Sequence, residues 1–338
     1  MAGRLTLPGF VNAHSHAFQR ALRGRSEGGD FWAWRDAMLE LARGQTPKKV
    51  RDEYVTTYRE MRRGGYTAVG EFHYIGLAEA EAALDAAEEA GVVIVLLLAA
   101  YARGGLDRFR QESAGAYLEQ VEALRARDDA EVGVAPHSVR ACPPDWLEEI
   151  ARYAERERLV LHVHASEQPR EVEECLAEHG LRPIELLART GCLGPRTTIV
   201  HATHATESEL DLVAQAGTRI CICPTTEANL GDGFPPLEGM LARGIELCIG
   251  SDSNVRIDSL EELRELEGIA RRQLFRRNVI SPGDLLRIGT RNGAASLGID
   301  GGPDIAVDLD HPSLEGVDSS RIEAALLAGC GADVFTKS

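Results

Sequence analysis

Long apolar runs are missing from this 338-residue chain: the longest, Val92–Ala100, falls far short of the ~20 residues that a membrane-spanning helix needs. Nor does the chain open on a charged-then-apolar leader, so a cytoplasmic protein is expected. A disulfide framework is missing too. The seven cysteines (Cys142, Cys175, Cys192, Cys221, Cys223, Cys248, Cys330) are odd in number and scattered in apolar or helical surroundings, as in reduced cytosolic protein. Positive charge is in deficit, with 37 Lys and Arg against 53 Asp and Glu for a formal −16. Such a surface repels nucleic acid and anionic lipid, yet it allows a small anion held by a few buried arginines. There is no internal repeat and no low-complexity tract. Gly231-Asp232-Gly233 lacks the lysine and spacing of a phosphate loop and reads as a turn. Cys221-Ile222-Cys223 has no second pair at zinc-ligand spacing and reads as core. What is present is ample core material, 44% hydrophobic and 27% charged, which excludes disorder and fibrous repeats.

Short β-rich apolar runs recur at Phe10–Asn12, Thr67–Phe72, Val92–Leu98, Val132–Ala135, Leu159–Val163, Thr197–Val200, Arg219–Cys223 and Ile245–Ile249. Helix-patterned stretches lie between them: Val50–Arg63, Ala78–Ala90, Phe109–Arg127, Pro144–Arg156, Arg170–Thr190, Glu207–Ala216, Pro236–Arg243 and Leu260–Arg272. The apolar runs are continuous rather than alternating, as strands covered on both faces should be. Eight strand–helix units predict an α/β fold, a (β/α)₈ TIM barrel over residues 7–298, with a doubly wound open sheet as runner-up. Gly24–Asp30 reads as a loop before a helix at Phe31–Ala42. After a helix at Pro282–Leu297, a strand at Asp304–Asp310 and a helix at Ser320–Leu327 read as an appendage to the barrel.

Of ten histidines, eight (His14, His16, His73, His137, His162, His164, His201, His204) lie at or just past the C-terminal ends of these strands. In a barrel those ends form the rim that carries active sites. Any one imidazole there is more often a satisfied hydrogen-bonder, but chance is a poor account of so many. His14-Ser15-His16 ends the first strand, and in extended chain residues i and i+2 face one side, toward one spot on the barrel axis. Neutral imidazole is a good Zn²⁺ ligand. His162-Val163-His164 ends the fifth strand with the same geometry, and Glu167 follows it, placed either to favour a helix N-terminus or to move protons beside a metal-bound water. His201 ends the sixth strand. Asp252, in Gly250-Ser251-Asp252-Ser253, ends the eighth; beside serine an aspartate is commonly a turn or cap residue. Across the rim from His14 it would instead complete an imidazole site and leave one position open, the mark of a catalytic metal.

Arg35, in Phe31–Arg35, and Arg140, in His137–Arg140, stand where they could clamp a carboxylate bidentately, although each alone is more often a surface ion pair. Tyr74 and Gln19 could donate hydrogen bonds to the same ligand. Trp32 and Trp34 fit a pocket wall and plain packing equally well.

Taken together, the residues from Leu7 to His16, with His164, His201 and Ser251-Asp252-Ser253, resemble the amidohydrolase superfamily in its mononuclear-zinc deaminase branch. Within that branch, His14–Arg20 (HSHAFQR), Phe31–Arg35 (FWAWR), Glu71–Tyr74 (EFHY), His137–Arg140 (HSVR) and Thr226–Gly233 (TEANLGDG) resemble the formiminoglutamate deiminases of histidine breakdown. The resemblance runs from about Leu7 to Leu297 and implies the same barrel. It implies one Zn²⁺ held by His14, His16, His164 and Asp252. It makes Glu167, His201 and Asp252 catalytic, with Glu167 shuttling protons and His201 polarising the substrate or holding the attacking water. Gln19, Arg35, Tyr74, His137 and Arg140 would bind the substrate, the two arginines serving two carboxylates. The implied reaction is hydrolytic deamination of N-formimino-L-glutamate to N-formyl-L-glutamate and ammonia. The alternatives are a related deaminase acting on a heterocycle such as guanine or cytosine, and a non-catalytic metal-binding barrel fragment. The partners this reading allows are a small anionic substrate and a second copy of the chain as a homodimer; nucleic acid and membrane are not among them. Two departures stand out. Asn254 occupies a position where the family has histidine, and residues 1–6 and 299–338 are expected to be only remnants of the family's small β-sandwich.

Overall fold

Strands that are apolar without alternation must be covered on both faces, and the runs read above are. The computed structural model describes residues 3–336; positions 1–2 and 337–338, in the flanks expected to be sandwich remnants, lie outside the described residues. Eight parallel strands among the described residues pair in chain order: β2 (Phe10–Ser15), β3 (Tyr66–His73), β4 (Val93–Ala100), β5 (Glu131–Pro136), β6 (Leu161–Ala165), β7 (Thr197–His201), β8 (Arg219–Ile222) and β9 (Leu247–Ile249). Helices cross between them, and β2, β3, β6 and β7 are buried along their whole lengths. This is the (β/α)₈ barrel, not the open sheet. A separate two-stranded antiparallel sheet joins β1 (Arg4–Leu7) to β10 (Ile305–Asp308), with Leu5 opposite Val307.

The barrel closes where β9 runs out beside β2. His16 N–H donates to the Asp252 carbonyl at 2.9 Å, and Asp252 N–H donates to the His14 carbonyl at 3.0 Å. Asn12 extends the seam, accepting from Ser251 N–H at 2.9 Å and donating to Ser251 Oγ at 2.6 Å. Gly250 is required at this seam, because a Cβ there would sit 2.7 Å from the His14 carbonyl oxygen. Closure therefore sets the first and last strand ends, with His14, His16 and Asp252, directly against each other.

Several element bounds differ from the sequence reading, each for a local reason. The helix expected over Arg170–Thr190 is two helices, Pro169–His179 and Pro183–Arg189: Gly180 ends the first in the left-handed region (φ 66°) and Pro183 opens the second. Phe109–Arg127 begins as a helix only at Ala114, where Ser113 accepts from Ala116 N–H. Pro282–Leu297 is interrupted by a π-turn at Ile288–Asn292; Gly289 within it and Gly293 just after it leave room for Phe10 and Val11, which a Cβ at either position would crowd. A helix at Pro224–Leu230, which runs into the TEANLGDG stretch, had no counterpart in the sequence pattern; Pro224 at its first turn is the signal that could have marked it. The seven cysteines are unpaired and buried, and Cys221, Cys223 and Cys248 pack together with Ala13 and Val200. No helix among the described residues is long and apolar enough to cross a membrane.

Candidate active site

The strand ends bring His14, His16, His164 and Asp252 together, with one ligand-type atom from each lying within 4.8 Å of the others. The three imidazoles meet through one type of nitrogen: His14 Nε2 is 3.2 Å from His16 Nε2 and 3.1 Å from His164 Nε2. The opposite nitrogens show which atoms carry protons. His16 Nδ1 lies 2.8 Å from the Phe72 carbonyl and His164 Nδ1 lies 3.0 Å from the His137 carbonyl. Carbonyls only accept, so both Nδ1 atoms are protonated and the Nε2 lone pairs face inward. Asp252 Oδ1 closes the group at 3.5 Å from His14 and 3.4 Å from His16. Converging lone pairs and a carboxylate, all buried, repel one another unless a cation lies between them, and three nitrogens with one oxygen suit a divalent transition ion. Burial pushes His14 down to about 3 and lowers His16 and His164 also, so all three are neutral, as ligands must be. Burial alone would raise Asp252, but the surrounding histidines hold it below the ordinary carboxylate range.

Glu167 and His201 stand beside this group. His201 Nε2 is 3.7 Å from Glu167 Oε1 and 3.8 Å from Asp252 Oδ2. Burial pushes Glu167 up to about 6 against the pull of His201 and Arg140, the range of a working general acid–base. Burial disfavours charge on His201, yet Glu167, Glu227 and Asp252 outweigh it and raise the ring to about 10. How His201 reaches the site is not a matter of alternation. The β6–β7 register pairs His164 with Val200 and Ala165 with His201, so a regular strand would aim His201 away from the barrel axis. Left-handed backbone at His201 (φ 74°) and Ala202 (φ 55°) turns it back. Ser166, Asp252 and Asn254 share that conformation (φ 57°, 42° and 58°), a concentration of backbone strain at the rim that the surrounding hydrogen bonds must hold.

Asn254 does much of that holding. Its Nδ2 donates to Ser15 Oγ at 3.1 Å and to the Asp252 carbonyl at 2.9 Å, while its Oδ1 accepts from Ser251 Oγ at 2.7 Å. The side chain thus ties the Asp252 turn to β2, and asparagine tolerates the left-handed backbone it adopts there.

A cavity of about 290 Å³ opens over the group. Gln19, Arg35, Tyr74, His137 and Arg140 line it together with His16, His164, Glu167, His201 and Asp252. Gln19 Nε2 donates to Tyr74 Oη at 2.8 Å, and both guanidinium groups bear on Tyr101 and His137. Arg140 does not stand free: its Nη2 is 3.6 Å from Glu167 Oε2. Trp32 and Trp34 line the mouth, with Arg170 4.4 Å and Arg35 6.0 Å from the Trp32 ring.

Three of the eight rim histidines lie elsewhere. His73 alternates to the outer face, against Tyr54 Oη (3.3 Å) and the Gly76 carbonyl (3.2 Å). His162 sits one layer deeper than His164 and meets the Ser296 carbonyl at 2.9 Å. His204 follows the His201 bend, its N–H donating to the Ser166 carbonyl at 2.9 Å. Conversely, the sequence pattern did not single out Tyr101, whose ring lies tilted 4.4 Å from that of His137, or Glu227, whose Oε1 lies 3.1 Å from His201 Nδ1. Tyr101 directly follows the longest apolar run, and Glu227 lies in a quoted motif; neither position advertises a contact that only the closed barrel creates.

The model of the amidohydrolase family matches residues 5–302. The chain is an amidohydrolase. This amidohydrolase is 37% identical over 315 residues to a formimidoylglutamate deiminase of Pseudomonas aeruginosa, a match covering 85% of this chain and 69% of the relative. It is 31% identical to a 5-methylthioadenosine/S-adenosylhomocysteine deaminase of Haloarcula marismortui over 92% of this chain and 74% of that one. Among solved structures, a zinc-bound adenosine deaminase from Xanthomonas campestris superposes with a TM-score of 0.88 at 25% identity, covering 98% of this chain and 78% of its own. The amidohydrolase is accordingly a metal-dependent hydrolase acting on carbon–nitrogen bonds.

Proposed function

We propose that this amidohydrolase deaminates N-formimino-L-glutamate, yielding N-formyl-L-glutamate and ammonia, with one Zn²⁺ held by His14, His16, His164 and Asp252. The observation that carries the reading is the division of charge in the cavity. Arg35 and Arg140 line it, and the carboxylates of Glu167 and Asp252 lie at the histidine cluster, with Arg140 Nη2 3.6 Å from Glu167 Oε2. A substrate with two carboxylates and an amidinium head matches both kinds of group; a neutral heterocycle uses neither. The 37% identity to a formimidoylglutamate deiminase supports the same choice.

When bound, the ion supplies Lewis acidity and brings the pKa of a water toward ~7. The rest is done by side chains. Arg35 and Arg140 clamp the carboxylates, and Gln19 and Tyr74, already hydrogen-bonded to each other, offer polar atoms along the chain of the substrate. Glu167, raised by burial, accepts a proton from the attacking water and returns it to the departing nitrogen. His201 faces the same point through Nε2 and stabilises the oxygen as charge develops on it. The nitrogen that Glu167 reaches is the one released, so ammonia leaves rather than formamide.

A second reading, deamination of a purine-type ring, is favoured by the aromatic wall of Trp32, Trp34, Tyr74 and Tyr101 and by the 31% identity to a 5-methylthioadenosine/S-adenosylhomocysteine deaminase. One experiment separates them: ammonia release by metal-analysed protein from N-formimino-L-glutamate, beside 5′-methylthioadenosine, guanine and cytosine. Turnover of the formimino compound alone is expected. Turnover of a ring substrate in its place refutes the proposal, and zinc binding with no turnover of any of them leaves a non-catalytic barrel.

A further inference from the structure

His201 is held from behind. Its Nδ1 lies 3.1 Å from Glu227 Oε1, and that same oxygen accepts the Cys223 N–H at 2.9 Å. Glu227 and His201 are each 1% exposed, so water does not compete for this contact. The other carboxylate oxygen, Oε2, is buried with no hydrogen-bond partner among the described residues. On its far side the ring presents Nε2 to Glu167 and Asp252. The backbone of His201 itself lies in the left-handed region (φ 74°), against the direction that strand alternation sets, so the ring has to be anchored by something other than its own strand.

We propose that Glu227 is a positioning residue: it fixes the rotation of the His201 ring and keeps the proton on Nδ1, so that Nε2 alone addresses the reacting atoms. The logic is that of a carboxylate behind a working imidazole, where the partner on one nitrogen decides what the other can do. Glu227 is well built for it. The Pro224–Leu230 helix puts it one turn past β8, and the Cys223 N–H pins Oε1 in place. His201, Cys223 and Glu227 also bring three ligand-type atoms within 4.8 Å of one another, so a second metal ion there is the competing account.

The kinetic arm of the test rests on the deiminase reading; the other arms do not. In zinc-loaded wild type, a long-range ¹H–¹⁵N spectrum should show His201 protonated at Nδ1, and metal analysis should give one ion per chain. Glu227→Gln keeps an acceptor for both N–H groups and should retain the Nδ1 proton, with kcat lowered roughly tenfold. Glu227→Leu should lose the fixed Nδ1 proton and lower kcat by about 100-fold, while KM moves by less than about threefold and zinc content is unchanged. The proposal is overturned if Glu227→Leu leaves the ring proton where it was, if activity falls only in step with lost zinc, or if wild type carries a second ion that Glu227→Leu abolishes. Should N-formimino-L-glutamate not turn over at all, the deiminase reading fails and the ring proton still decides the role of Glu227.

Discussion

Replacing Arg35 by methionine tests the charge division directly. Arg35 lines the cavity, and among the described residues no carboxylate comes within 4 Å of its guanidinium, which stands 6.0 Å from the centre of the Trp32 ring. Fold stability should therefore change by no more than about 0.5 kcal/mol, as for a surface substitution. Binding is another matter. A substrate carboxylate brought into the cavity without its partner costs about 2–5 kcal/mol, which is roughly 30- to 5,000-fold in kcat/KM. The assay is ammonia release from N-formimino-L-glutamate and from two analogues, one lacking the α-carboxylate (N-formimino-4-aminobutyrate) and one lacking the γ-carboxylate (N-formimino-2-aminobutyrate). Wild type should lose activity on both. Arg35→Met should lose it on the parent compound yet be indifferent to removal of whichever carboxylate Arg35 holds, because that interaction is already gone. A variant whose kcat/KM stays within about threefold of wild type, or which loses equally on all three compounds, refutes the clamp.

Glu167→Gln should lower kcat by about 10²–10⁴-fold at nearly constant KM and zinc content, since the amide keeps the shape but cannot carry the proton; steady-state kinetics with metal analysis checks this. Chelation of the wild type should abolish activity and lower the melting temperature. At a free ion concentration 100 times the dissociation constant, the lost stabilisation is about 2.7 kcal/mol, and readdition of Zn²⁺ should restore both. Gly250→Ala should destabilise the barrel seam by about 1–3 kcal/mol, because its Cβ would meet the His14 carbonyl at 2.7 Å; urea unfolding measures it. Glu60, gripped by Arg20 at 2.5 Å and Arg23 at 2.8 Å, shows its effect through pH. Burial works against its charge, but the two arginines hold its pKa below the ordinary value. The stability it adds is therefore present above the unfolded carboxylate value of ~4.3 and lost as pH falls through the lower folded value. Wild type should exceed Glu60→Gln by about 1 kcal/mol at neutral pH, with the gap closing as pH falls through that window.

The barrel was legible because its signal is repeated. Eight buried strands need eight continuous apolar runs, and helices with polar outer faces must separate them, so errors of a few residues at each end do not change the count. Helix breaks were less legible: Gly180 and Pro183 were visible as residues, but the charged pattern ran on through them. The His14, His16, His164 and Asp252 cluster could be proposed from strand ends because, in a barrel, every parallel strand delivers its C-terminal end to one rim.

What the sequence could not decide was rotation and register. His162 and His164 share one face of one strand, and only the layer at which β6 meets its neighbours sends one to the Ser296 carbonyl and the other to His14. His201 lies on the wrong parity for the site and reaches it through a left-handed bend, a backbone choice that no local residue pattern announces. Arg140 was foreseen at the pocket, but its contact with Glu167 exists only because two loops, 27 residues apart, come to one side of the cavity. The amino acids by themselves determined which groups could do chemistry and which strand ends would carry them. The closed barrel decided which of those groups meet, because contacts across the rim depend on strand register, a property of neighbouring strands that no single segment encodes.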